Sequence, residues 1–124
     1  MLASGDVTAM AIAVDRTNAY WTTESLNVLF KVPLAGGTAM PLVKATDGGA
    51  RFLALDAAAI YYTTATPTNG KVMKAPLSGG TPVVLADGQA AAWGIAVDGT
   101  DVYWANAGDG TVMRLGICES SICK

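Results

Sequence analysis

The sequence predicts an all-β chain built from three copies of one four-strand unit, and three observations carry that prediction. An aspartate recurs as Asp15, Asp56 and Asp98, with about 40 residues between successive copies. An aromatic pair follows each one: Tyr20-Trp21, Tyr61-Tyr62 and Tyr103-Trp104. A third piece comes after the pair. Phe30-Lys31-Val32-Pro33-Leu34-Ala35-Gly36-Gly37-Thr38 matches Met73-Lys74-Ala75-Pro76-Leu77-Ser78-Gly79-Gly80-Thr81, and Met113-Arg114-Leu115-Gly116-Ile117 begins a third version. Each copy carries short apolar runs separated by turn residues, and none shows the 3.6-residue spacing of helical repeats. A period of this length with four strand signals marks a blade of a β-propeller.

The elements follow in order. Met10 to Asp15 is small and apolar, as suits an innermost strand where blades crowd together. Arg16-Thr17-Asn18 turns into a second strand, Ala19 to Thr23. Val28 to Leu34 is the third, and Ala35-Gly36-Gly37-Thr38 leads to a fourth, Ala39 to Lys44. The second copy repeats this with Arg51 to Leu55, Ile60 to Thr64, Lys71 to Leu77 and Thr81 to Ala86. The third has Trp93 to Val97, Asp101 to Ala105, Thr111 to Ile117 and a reduced strand, Ile122-Cys123-Lys124. The blades are expected over residues 9–46, 50–88 and 92–124. Pro33, Pro76 and Pro82 fall at strand ends, where a missing N–H costs little. Asn69-Gly70, Asp87-Gly88, Asp98-Gly99 and Asp109-Gly110 carry turn chemistry. Leu2-Ala3-Ser4-Gly5 resembles Leu85-Ala86-Asp87-Gly88, so the chain is expected to stop where it would resume. The start of another chain would then finish the last outer strand.

Composition narrows the function classes. Hydrophobic residues make up 52% and charged residues 15%, so much apolar surface has to be covered. The net charge of −2 gives no attraction to nucleic acid or to an anionic membrane. No apolar run approaches the length of a membrane-spanning helix, and the N-terminus lacks the basic and apolar regions of a signal peptide. Cys118 and Cys123 flank a short hairpin signal. They are either a disulfide, which favours an extracytoplasmic compartment, or two unpaired thiols near the chain end. Two sulfurs and no histidine leave a tetrahedral zinc site half empty. Asp109 lacks the further oxygens of a calcium loop, so no metal or cofactor is expected.

The recurring residues read as structural. An aspartate ahead of Gly-Thr or Arg-Thr-Asn accepts hydrogen bonds from the turn's own N–H groups, which assigns Asp15, Asp56 and Asp98 to turns. Neighbouring aromatics on a strand point to opposite faces, so Trp21, Tyr62 and Trp104 fill blade contacts on one side and their tyrosine neighbours on the other. The positions that differ between copies are more informative. Met10, Arg51 and Trp93 are equivalent, each at the entrance to an inner strand, where a propeller opens into its channel. Arg51 and Trp93 suit an anionic or planar small ligand there, or the three side chains simply plug the channel.

Tyr20-Trp21-Thr22-Thr23, followed by Phe30-Lys31-Val32-Pro33-Leu34-Ala35-Gly36-Gly37, resembles the Tyr-Trp-Thr-Asp repeat. That repeat is known from low-density-lipoprotein-receptor propellers and their bacterial relatives. Asp15, Asp56 and Asp98 match its preceding aspartate, and Lys31, Lys74 and Arg114 its basic residue. Leu34-Ala35-Gly36 and Leu77-Ser78-Gly79 match its Leu-x-Gly turn. The motif's own aspartate is replaced by Thr23, Thr64 and Asn106. The resemblance implies closure as six blades, so two copies of this chain are expected to pair as a homodimer into one ring. The function expected from the residues is a non-enzymatic scaffold or binding module, and the receptor resemblance also fits a protein-binding platform. The alternative is a fragment of a propeller lyase or hydrolase. Against an enzyme stand the absence of histidine and of a serine in a nucleophile elbow.

Overall fold

The computed structural model describes residues 9–23, 28–44, 49–64 and 69–117. Every regular element in them is a strand. The first sheet holds β1 (Ala9–Val14), β2 (Asn18–Thr23), β3 (Val28–Pro33) and β4 (Met40–Lys44) in the order β1-β2-β3-β4. The second holds β5 (Ala50–Leu55), β6 (Ala59–Thr64), β7 (Gly70–Pro76) and β8 (Val83–Gln89). The third holds β9 (Ala92–Val97), β10 (Asp101–Asn106) and β11 (Thr111–Gly116). All neighbours are antiparallel, and each sheet is a meander whose first strand packs beside the first strand of the next. The fold is a run of three β-propeller blades. The reduced strand expected at Ile122-Cys123-Lys124 lies outside the described residues, as do Leu2-Ala3-Ser4-Gly5 and both cysteines.

The alternation of side chains decides what each blade offers its neighbours. Tyr20 opposes Lys31 and Thr22 opposes Leu29; these pairs share the face toward the following blade. Trp21 opposes Phe30 on the other face, and their rings stack with centroids 5.5 Å apart. The second sheet repeats the register with Tyr61–Lys74, Thr63–Val72 and Tyr62–Met73. The third repeats it with Tyr103–Arg114, Ala105–Val112 and Trp104–Met113. Two cores result. Tyr20, Leu29 and Val43 of the first sheet meet Leu53, Ile60, Tyr62 and Ala75 of the second. Ala59, Tyr61 and Val72 of the second meet Ala92, Val102 and Trp104 of the third.

Each inner strand carries an irregularity near its start, between Ala9 and Ile12, between Ala50 and Leu53, and at Trp93-Gly94, opposite the break between Trp104 and Asn106. A bulge inserts an extra residue and takes backbone groups out of the ladder. Met10, Arg51 and Trp93 all sit in these bulges.

Asp87-Gly88 departs from its expected role. It lies inside β8, which runs on to Gln89, and the chain turns at Ala90-Ala91 instead. Gly88 supplies a φ of 63° within the strand, its N–H donates to Asn69 Oδ1, and Gln89 pairs with Gly70 across a register shift. Here the glycine bends a strand rather than ending it.

Candidate functional site

Three small polar devices recur and set the geometry of the blade contacts. The first is a clamp. Asp15 Oδ1 accepts the N–H groups of Thr17 and Asn18, while Oδ2 accepts the Tyr20 hydroxyl at 2.8 Å. Asp56 does the same with Ala58, Ala59 and Tyr61, and Asp98 with Thr100, Asp101 and Tyr103. Burial raises the Asp15 pKa, but the two N–H donors and the tyrosine outweigh it and hold the group at about 2. For Asp98 the N–H groups of Asp101 and Thr100 lead, and its pKa lies well below the usual carboxylate range. The tyrosines respond in kind. Burial and the Asp15 bond push Tyr20 up to about 12. The turn half of this clamp is readable from sequence. The tyrosine half is not, although the constant five-residue spacing from aspartate to tyrosine is the signal for it.

The second device closes the hairpin at Thr23, Thr64 and Asn106, two residues after each aromatic pair's second ring. Thr23 Oγ donates to the Val28 carbonyl and accepts the Val28 N–H. Thr64 Oγ accepts the Lys71 N–H. Asn106 Nδ2 donates to Thr111 Oγ and to Gln89 Oε1, which also accepts Trp104 Nε1. Nothing in the repeat pattern singles out Gln89.

The third device joins blades. Thr22 Oγ donates to the Arg51 carbonyl at 2.7 Å, and Thr63 Oγ donates to the Trp93 carbonyl at 2.9 Å. Both acceptors lie at the bulges, so a hydroxyl of the preceding blade serves a carbonyl beside an irregular ladder. Lys31 adds a further bond, from Nζ to the Leu77 carbonyl of the next blade. Lys74 lies over the Tyr61 ring, 5.9 Å from its centroid.

The two end faces carry apolar side chains at the equivalent positions without a neighbour among the described residues. Ile12 stands where Leu53 stands in the next copy, yet is 70% exposed against 8%. Val14 and Leu34, on the same face, are exposed too. At the other end Val112 is 79% exposed, whereas its equivalents Leu29 and Val72 are fully buried. Around it lie Tyr103, Ala105 and Arg114, the last paired to Asp101 at 3.1 Å. One end therefore presents what a following blade normally brings, and the other what a preceding blade brings.

Met10, Arg51 and Trp93 hold the bulge position on three inner strands that lie side by side. Met10 and Trp93 are exposed and Arg51 is half-buried. The Trp93 ring meets Phe52 at 5.4 Å. Phe52 is a residue that sequence reasoning missed. Its signal is an aromatic ring at a bulge position where the other copies have Ala11 and Gly94. Among the described residues no group of three or more histidine, cysteine, aspartate or glutamate side chains is placed to hold a metal ion. No helix among them is long and apolar enough to cross a membrane.

No protein-family model matches the chain, and no curated protein matches it by sequence. Solved structures do. A streptogramin B lyase superposes with a TM-score of 0.68 at 17% identity, over 94% of this chain and 43% of that one. A chain of a nidogen–laminin complex gives 0.51 at 16% identity, over 87% of this chain and 60% of that one. The computationally designed Ika4 protein gives 0.50 at 10% identity, over 95% of this chain and 96% of that one. This chain thus spans less than two thirds of the lyase and nidogen–laminin chains. At these identities the likeness is one of fold, and the fold it supports is the β-propeller.

Proposed function

We propose that the chain is a non-enzymatic β-propeller repeat module whose end faces join those of a second copy, head to tail, into a closed six-bladed ring. One observation carries this reading. Repeat positions buried at both internal blade contacts are bare at the two ends, and the two ends are complementary rather than alike. Val112 and Arg114 of one copy take the roles of Val72 and Lys74. Ile12, Val14 and the Trp21–Phe30 stack of the other take the roles of Leu53, Leu55, Tyr62 and Met73. Neighbouring apolar side chains left this exposed favour association over solvation. In the ring, the Met10, Arg51 and Trp93 positions occur twice around the channel mouth, the place for a small anionic or planar ligand. Light scattering after size exclusion tests the pairing. The expected mass is about twice 12.6 kDa, and a monodisperse 12.6 kDa species at all concentrations would overturn it.

A further inference from the structure

We propose that Ala105 makes the junction between two copies the weak joint of the ring, where the closed propeller opens. The inference rests on the head-to-tail pairing above. It comes from an interblade device that the third copy lacks among the described residues. Thr22, Thr63 and Ala105 occupy the same register, opposite Leu29, Val72 and Val112. Thr22 and Thr63 are fully buried, and each hydroxyl spans to a bulge carbonyl of the following blade, Arg51 or Trp93. Ala105 has no hydroxyl to give. The carbonyl that would come beneath it belongs to Met10, the bulge residue of the second copy's first blade.

Docking therefore covers the Met10 carbonyl without supplying the hydroxyl that serves its two counterparts. A buried acceptor left unserved weakens the contact that buries it. The other seam groups are kept. Arg114 stands where Lys31 does, within its own copy's reach of Asp101, and Leu34 stands where Leu77 offers its carbonyl to Lys31. Among the described residues, the junction thus keeps the apolar positions of the inner three strands and the basic group of an internal contact but not its hydroxyl bond. A ring of two copies has two such junctions and four latched contacts, so thermal opening concentrates at the junctions.

The experiment compares the dimer dissociation constants of the wild-type chain, Ala105→Thr and Ala105→Val by sedimentation equilibrium. Threonine is the residue that the other two blades carry at this register, and valine matches its shape without the hydroxyl. One net hydrogen bond at each of two junctions should tighten Ala105→Thr roughly fivefold to a hundredfold. Ala105→Val adds apolar bulk at the joint but leaves the Met10 carbonyl unserved, and it should fall short of Ala105→Thr. If the wild-type chain dimerises but the threonine variant is no tighter than the valine variant, the weak-joint inference falls and the pairing stands. If all three chains remain monomeric at every concentration, the pairing itself is wrong and the joint falls with it.

Discussion

Replacing Val112 by aspartate strikes the centre of the face that a second copy would cover. Val112 projects from β11 opposite Ala105, and 79% of it is exposed in the single chain. Its counterparts Leu29 and Val72 show what the position becomes in a formed contact, since both are fully buried. Burying a valine side chain contributes about 1.5 kcal/mol at the low end. The loss occurs at both junctions of a two-copy ring, so it reaches about 3 kcal/mol before the cost of covering a carboxylate. That converts to a dissociation constant at least about a hundredfold weaker. The separated chain should barely notice. An exposed strand position shifts stability by no more than about 1 kcal/mol. Sedimentation equilibrium reads the first quantity and urea unfolding of the dissociated chain the second. A dissociation constant within about tenfold of wild type would refute the reasoning.

Two further outcomes follow from the internal structure. The Asp15 pKa of about 2 lies below the unfolded value near 4, so its stabilising contribution is complete above pH 4 and fades as pH falls toward 2. Tyr20 and Tyr62 are held at about 12, above the unfolded value near 10, so theirs is complete below pH 10 and is lost as pH rises toward 12. Unfolding temperatures measured across both windows, with tyrosinate absorbance following the alkaline one, should fall at each end. A flat profile between pH 10 and 12 would contradict the buried clamp. Ala91 holds a φ of 56° in the β8–β9 turn while its carbonyl accepts the Ala107 N–H. Ala91→Gly should therefore raise unfolding stability by up to about 1 kcal/mol, despite the entropy that glycine adds to the unfolded chain, and a loss of stability in urea titration would oppose this.

What the sequence reveals is what repetition encodes. The aspartates, the aromatic pairs and the Pro-Leu-x-Gly-Gly turns recur, so the three copies and the faces of Tyr61 and Tyr62 could be placed without coordinates. Strand ends were less legible. Asp87-Gly88 looks like a turn because its dipeptide chemistry is local, whereas Asn69 reaches in from a residue far along the chain to keep it within β8. The bulges were hidden for a similar reason. They show only in cross-strand register, yet they bring the Arg51 and Trp93 carbonyls to the threonines of the preceding blades. The choice of Met10, Arg51 and Trp93 as a set follows directly from repeat alignment. The interblade threonines directly follow the aromatic pairs Tyr20-Trp21 and Tyr61-Tyr62, but their role appears only when two blades are seen together. Their absence at Ala105 then acquires meaning.

Head-to-tail pairing is tested most directly by complementation. Ile12→Lys damages the face that receives a preceding blade, and Val112→Glu damages the face that receives a following one. Each variant alone should be monomeric by native mass spectrometry. Mixed, they can form a ring with one wild-type junction and one junction that brings the introduced lysine and the introduced glutamate together. Mixing should restore a dimer containing one copy of each variant. If the Val112→Glu chain still dimerises with itself, or the mixture stays monomeric while the wild-type chain dimerises, the copies do not join end to opposite end and the six-bladed ring is wrong.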